Sequence, residues 1–192
     1  MTGPETLSLF EQTGALLKGH FLLSSGLHSP QYMQCALLLA HPRLAQSLGA
    51  ALAALCPGNP DLVVSPAMGG LIIGQEVARA LDARHYFTER DNGVMSLRRG
   101  FSVKPGENVA IVEDVVTTGK SSQEVIDVVE GQGGRVSAVL SIVDRTSART
   151  VLSVERFNLL KLSIPSYTAL ECPECKRGIP FIKPGSRTQP KP

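Results

Sequence analysis

Residues 109–121 read Val109-Ala-Ile-Val-Glu-Asp-Val-Val-Thr-Thr-Gly-Lys-Ser121, and this stretch decides the fold. Val109–Val112 is an apolar run of strand type, and a helical pattern opens at about Ser121. Ser121-x-x-Glu124 has the form of a capping box, which sets that helix start just after the loop. Between strand and helix lie two carboxylates, Glu113 and Asp114, and the small hydroxyl-rich segment Thr117-Thr118-Gly119. Amides at a helix N-terminus favour phosphate, whereas carboxylates repel it. A ligand that suits both carries a phosphate at one end and hydroxyls at the other, as a ribose 5-phosphate does.

The rival reading is a nucleotide-triphosphate P-loop, because Gly119-Lys120-Ser121 matches its last three positions. The full pattern needs a glycine five residues before Gly119. Asp114 stands there, and a carboxylate in that place would face the phosphates. An ordinary strand-turn-helix explains the apolar run and the turn, but not two adjacent acids beside Thr-Thr-Gly.

Working outward, residues 5–17 have helical spacing, with Gly19 as their stop, and 42–55 form a second helix closed by Pro57-Gly58-Asn59-Pro60. His20–Leu23 and Gln31–Leu39 read as extended segments around a Ser24-Ser25-Gly26 turn. A rhythm follows: strand at Leu62–Ser65, helix at Leu71–Leu81, strand at Arg84–Phe87, a polar flexible stretch over Glu89–Arg99, then the quoted strand and helix. Gly133-Gly134 closes that helix, Val136–Val143 is a further strand, and Leu159–Leu162 the last. Such alternation specifies an α/β fold with a mostly parallel sheet flanked by helices. Ligands of such sheets bind beyond the C-terminal strand ends. The loops after Ser65, Phe87 and Val112 therefore open on one edge. The N-terminal residues stand outside the rhythm. The expected organisation is a helix and small hood over residues 1–40, a core over 41–170, and an extension over 171–192 whose tail from about 185 is disordered.

The chain has 192 residues, 43% apolar and 19% charged, with net charge +2. That is the composition of an ordinary globular domain, and the charge is too small to argue for nucleic acid or membrane as partner. Met1–Glu11 lacks a basic-then-apolar leader, and no apolar run nears the roughly 18 residues that span a bilayer; a cytoplasmic protein is expected. Of the four cysteines, Cys172 and Cys175 have the spacing of half a zinc site. Neither Cys35 nor Cys56 has a paired neighbour to complete it, so a turn with reduced thiols is the expectation.

The loop Ser65-Pro66-Ala67-Met68-Gly69-Gly70 offers paired glycines to an anion, with a helix N-terminus behind them. The stretch from Thr88 to Gly100 is polar, hinged at Gly93 and Gly100, and carries Arg90, Arg98 and Arg99, as a lid that excludes water would. A solvated β-hairpin with surface arginines is the plainer reading.

The 109–121 stretch resembles the phosphoribosyl-diphosphate (PRPP) motif of the type I phosphoribosyltransferases: four apolar residues, two acids, two apolar residues, Thr, a small residue, Gly and a small or polar pair. Two further stretches resemble the orotate phosphoribosyltransferases within that group. One is His20-Phe-Leu-Leu-Ser-Ser-Gly-Leu-His-Ser-Pro-Gln-Tyr32. The other is Asp144-Arg145 at a strand end. Cys-Pro-x-Cys and the short lid are similar to a bacterial branch of that family, and the likeness spans about residues 5–185. It implies transfer of ribose 5-phosphate from PRPP to orotate in pyrimidine biosynthesis, with Mg²⁺ carried by PRPP near Asp114 rather than held by a protein cage, and a homodimer.

Residue by residue, the resemblance assigns PRPP to Glu113, Asp114, Val115, Val116, Thr117, Thr118, Gly119, Lys120 and Ser121, with Met68, Gly69 and Arg90. The acids hold the ribose hydroxyls and the following amides the 5-phosphate. Arg90 and Asp114 are the catalytic candidates. Orotate falls to Thr117, Arg145, Tyr32 and Met33, and a guanidinium fork suits its carboxylate. A structural Asp144–Arg145 ion pair is the plainer reading of Arg145. Ser24 and Gly69 stand where many relatives carry a basic residue, so diphosphate charge must be met otherwise. A purine phosphoribosyltransferase would have little use for Arg145 or the hood, and a PRPP-sensing nucleic-acid binder would need a basic face.

Overall fold

The strand Leu62–Pro66 is buried along its whole length, as a strand covered on both faces must be. It lies inside a six-stranded sheet. The computed structural model describes residues 1–23, 25–146 and 152–184. Their elements are α1 (Gly3–Gln12), β1 (Leu16–Leu22), β2 (His28–Met33), α2 (Cys35–Leu39), α3 (Pro42–Ala53), β3 (Leu62–Pro66), α4 (Gly70–Leu81), β4 (Arg84–Asp91), β5 (Val94–Leu97), β6 (Asn108–Val116), α5 (Lys120–Gly131), β7 (Arg135–Asp144), β8 (Arg156–Lys161) and α6 (Pro173–Lys176). The large sheet has the order β5-β4-β3-β6-β7-β8, and β1-β2 form a separate two-stranded sheet. All pairs in the large sheet are parallel except β4-β5. The mostly parallel α/β architecture with a small antiparallel hood is therefore as the sequence implies.

Alternation along the strands builds two cores. Val63, Val112, Leu140 and Ile142 face Leu48, Leu52, Ile73 and Val77 of α3 and α4. Leu62, Val64, Ile111 and Val139 face Val125, Ile126 and Val129 of α5 on the other side. Close helix packing depends on Gly49, where a Cβ would lie 2.5 Å from that of Glu76.

Several local expectations need correction. The first helix stops at Gln12, because Gly14 adopts φ +66. Ala15 N–H then donates to the Phe10 carbonyl (2.8 Å) and Gly14 N–H to that of Glu11 (3.2 Å), a Schellman ending. Leu16 and Leu17 belong to β1 instead. The extended segment expected over Gln31–Leu39 ends at Met33, and Cys35 starts α2. Glu89–Arg99 is not an irregular stretch. Asn92 and Gly93, both with positive φ, make the tight turn between β4 and β5, the Asn-Gly connection that matches strand twist. Strand β6 runs on through Val116, so both acids lie on the strand. The capping box at Ser121 does not form: Gly119 (φ +75) precedes the helix without a side-chain cap, and Glu124 is engaged elsewhere. The expected tail from about 185 and the position of Ser24 lie outside the described residues. Among the described residues no helix is long and apolar enough to cross a membrane.

Candidate active site

Consecutive strand residues point to opposite faces, and this separates the two acids of β6. Glu113 is buried toward α5, where Ser122 Oγ donates to its Oε1 (2.7 Å). Burial pushes its carboxyl up from 4.5 to about 7; the Ser122 bond opposes the rise, and the Asp114 and Glu124 charges add to it. Asp114 also titrates high because of burial, opposed by the Val115 N–H that donates to its Oδ1 (2.9 Å).

Asp114 meets the first glycine loop. A Cβ on Gly69 would come within 2.6 Å of Asp114 Oδ1, and one on Gly70 within 2.8 Å of the Val112 carbonyl. Only glycine lets this loop approach the acidic strand so closely. The Ala67–Met68 peptide is cis. Strands β3 and β6 are neighbours in parallel register, so the turn into α4 and the turn into α5 open side by side at their C-terminal ends. Lys120 N–H donates to Thr118 Oγ1 (3.3 Å). With Gly119 in the left-handed region, the amides of the Thr117–Ser121 turn lead into a helix of 12 residues, the setting that binds phosphate.

Arg145 follows β7 directly, and its N–H donates to the Val116 carbonyl (2.8 Å), which joins it to the end of the acidic strand. Its buried Nε finds no acceptor among the described residues. Burial lowers its pKa, and Tyr32 counteracts this. Tyr32 in turn titrates high through burial first and then the Asp114 charge, with Arg145 pulling it down. Asp144 does not take up the guanidinium in any ion pair among the described residues; its Oδ1 accepts from Thr146 N–H (2.7 Å). The structural-pair reading of Arg145 is thus replaced by a half-buried guanidinium whose Nε has no partner among the described residues, a costly feature unless a ligand fills it.

The chain is similar to known proteins along nearly its whole length. Residues 37–163 match the family model for the phosphoribosyl transferase domain. The chain is 50% identical over 188 residues to an orotate phosphoribosyltransferase of Pelotomaculum thermopropionicum, covering 97% of this chain and 99% of the relative. It is 53% identical over 180 residues to that of Thermotoga maritima, covering 93% and 96%. The crystal structure of orotate phosphoribosyltransferase from Aeropyrum pernix superposes with TM-score 0.67 at 27% identity, over 81% of this chain and 92% of the other.

The chain belongs to the orotate phosphoribosyltransferase family. The family's activity in pyrimidine biosynthesis is accordingly its own.

Not every residue singled out from the sequence lies free at this edge. Met33 is buried in the core with Phe10, Leu38 and Leu160, while Tyr32 beside it is half-buried and 6.0 Å from the Phe21 ring. Met68 is 80% exposed. The Arg90 guanidinium grips the Glu124 carboxylate on α5, with Nη1 donating to Oε1 at 3.2 Å, and also donates to the Gly93 carbonyl (3.0 Å). Arg99 forks onto Glu89 (2.9 Å for both bonds), and Arg98 lies 3.6 Å from Asp91. The three lid arginines are thus each paired on this chain. Ser122, bonded to Glu113, was not singled out from the sequence, and Glu124, bonded to Arg90, was read there only as part of a cap. Their positions on α5, meeting Glu113 of β6 and Arg90 of β4, were the available signal.

The largest hollow described lies at the other end of the sheet. A hollow of about 900 Å³ opens at the N-terminal strand edge between Asn59, Asp61, Asp82, Arg84, Lys104 and Glu107. There Arg84 pairs with Glu107, so one of the hollow's two cations is already engaged on this chain.

Proposed function

We propose the following division of labour for the transfer of ribose 5-phosphate from PRPP to orotate. Asp114 holds the ribose hydroxyls, joined by Glu113 only if its carboxyl leaves Ser122, the amides of Thr117, Thr118, Gly119, Lys120 and Ser121 hold the 5-phosphate, and the Met68–Gly69 turn faces the diphosphate. Arg145 receives the orotate carboxylate, with Thr117 and Tyr32 against the ring and Met33 packing behind it. The observation that carries this assignment is the buried Arg145 Nε without an acceptor, in a chain half identical to orotate phosphoribosyltransferases.

The bond between the anomeric carbon and diphosphate breaks as a ring nitrogen of orotate forms its bond to that carbon. Positive charge grows on the sugar and negative charge on the leaving diphosphate, so positioning and charge stabilisation dominate the chemistry. The half-buried Asp114 carboxylate, pressed against a glycine turn, suits a Mg²⁺ that arrives with PRPP and keeps most of its ligands from phosphate and water. When bound, that ion reduces the charge the protein must meet at the diphosphate. Arg90, released from Glu124, is the protein's own cation for the same purpose. A homodimer and a cytoplasmic location complete the reading, the dimer bringing a second lid close enough to share its arginines.

The test is direct. The protein, PRPP and Mg²⁺ are mixed with orotate, adenine or hypoxanthine in turn. Loss of orotate absorbance with no purine turnover is expected. Purine turnover without orotate consumption would overturn the acceptor assignment.

A further inference from the structure

We propose that His20, His28, Cys172 and Cys175 form a tetrahedral zinc site that fastens the C-terminal segment to the β1-β2 hood. The cysteine pair looked incomplete in the sequence because its other half lies some 150 residues earlier, in the hairpin. Each of the four residues offers one ligand atom, and these atoms all lie within 4.8 Å of one another. His20 Nε2 is 3.4 Å from Cys172 Sγ and 3.6 Å from Cys175 Sγ, and His28 Nδ1 is 3.4 Å from Cys175 Sγ. A tetrahedral zinc with bonds of about 2.3 Å to sulfur and about 2.05 Å to nitrogen separates S and N ligands by about 3.5 Å. Three distances therefore already match a filled site. The two nitrogens, 2.6 Å apart, must part by about 0.7 Å to reach the tetrahedral separation.

The surroundings are those of a closed structural site. His20, His28 and Cys172 are 4%, 4% and 2% exposed. His20 Nδ1 lies 2.7 Å from the Ile179 carbonyl. Donation there assigns the proton to Nδ1 and turns the Nε2 lone pair into the cluster, as carbonyls behind metal-bound imidazoles do. Phe181 edges both rings, at 5.9 Å and 5.3 Å, and helps cover them. The β1-β2 register shifts between Lys18 and Phe21, and such a bulge re-aims a side chain. Both sulfurs come from the single turn Cys172–Cys175 that starts α6. Two thiolates and two imidazoles in tetrahedral array select zinc over magnesium or calcium. All four positions are filled by protein, so the site is built for structure and not for catalysis. Binding displaces the two thiol protons to solvent.

The consequence is mechanical. A lone two-stranded hairpin is marginal in water. Here the C-terminal segment lines both its edges. Ile182 N–H donates to the His20 carbonyl (2.8 Å) and Leu22 N–H to that of Ile182 (2.9 Å), while His28 and Tyr167 exchange bonds of 2.8 and 2.9 Å. A metal at the centre would lock these contacts and hold Tyr32, at the other end of the hairpin, over the substrate edge.

The experiment uses the untagged full chain purified without chelator. Elemental analysis after dialysis is expected to find about one zinc per chain. Metal-free protein given Co²⁺ should develop the visible bands of a tetrahedral site with thiolate charge transfer. Cys175→Ser and His28→Ala should each lose the zinc and change or abolish those bands, and chelation should make two further thiols reactive. A wild-type chain that holds only a trace of metal and gives no thiolate band with Co²⁺ would overturn the proposal. So would full zinc retention in a Cys172→Ser/Cys175→Ser variant, which would put the metal elsewhere.

Discussion

Replacing Glu113 by Gln should make the protein more stable at alkaline pH and leave it almost unchanged in acid. The carboxyl is buried between β6 and α5, with one hydrogen bond from Ser122 and two other acids nearby. Its pKa rises from 4.5 to about 7 on folding, which at about 1.36 kcal/mol per pH unit is worth about 3 kcal/mol. The sign follows from linkage: the folded state binds this proton more tightly than the unfolded chain. The favourable contribution is therefore complete below pH 4.5 and is lost as pH climbs through about 7. Gln keeps the volume and the acceptor for Ser122 but has no charge to bury. Urea unfolding of wild type and variant between pH 4 and pH 8.5 checks this. The variant should gain about 3 kcal/mol over wild type across that range, which in a chain of this length is about 6–12 °C in Tm. His85 runs the other way. Burial lowers its pKa from 6.5 to about 4, so its contribution is lost as pH falls through that interval. Only the difference between the two proteins isolates Glu113. A stability difference that stays constant from pH 4 to pH 8.5 would refute the reasoning.

Two further substitutions separate the halves of the site. Arg145→Ala removes the guanidinium and should raise KM for orotate about 10- to 100-fold, the worth of a charge-assisted hydrogen bond, with KM for PRPP little changed; equal losses for both substrates would contradict its role. Gly69→Ala places a Cβ 2.6–2.7 Å from the Asp114 carboxylate atoms and should weaken PRPP about 10-fold or more by displacing a charged hydrogen-bonding group; unchanged PRPP affinity by calorimetry would show that the loop and Asp114 do not act together.

The sequence was most legible where the information is local. Thirteen contiguous residues disclosed a strand, two acids, a glycine turn and the start of a helix, because all of them follow one another along the chain. The strand-helix alternation likewise disclosed the parallel sheet, since each strand must be apolar on both faces. Errors came where a local pattern had two solutions. The spacing of Leu16 and Leu17 suits a helix as well as a strand, and Gly14 decided between them. Ser121-x-x-Glu124 is a valid capping box, yet Glu124 gains more from the Arg90 guanidinium on β4 than from a helix start.

The amino-acid sequence by itself determined the strand-helix alternation of the core and the edge at which its loops converge, because period and turn residues are properties of neighbours along the chain. Only the tertiary structure decided which acid of β6 faces α5 and which faces Gly69, that Arg145 Nε lacks a partner among the described residues while Arg90 has one, and that two hairpin histidines meet two distant cysteines. Those outcomes depend on strand register and on packing between segments up to 159 residues apart, and no local pattern encodes which distant side chain will fill a given place.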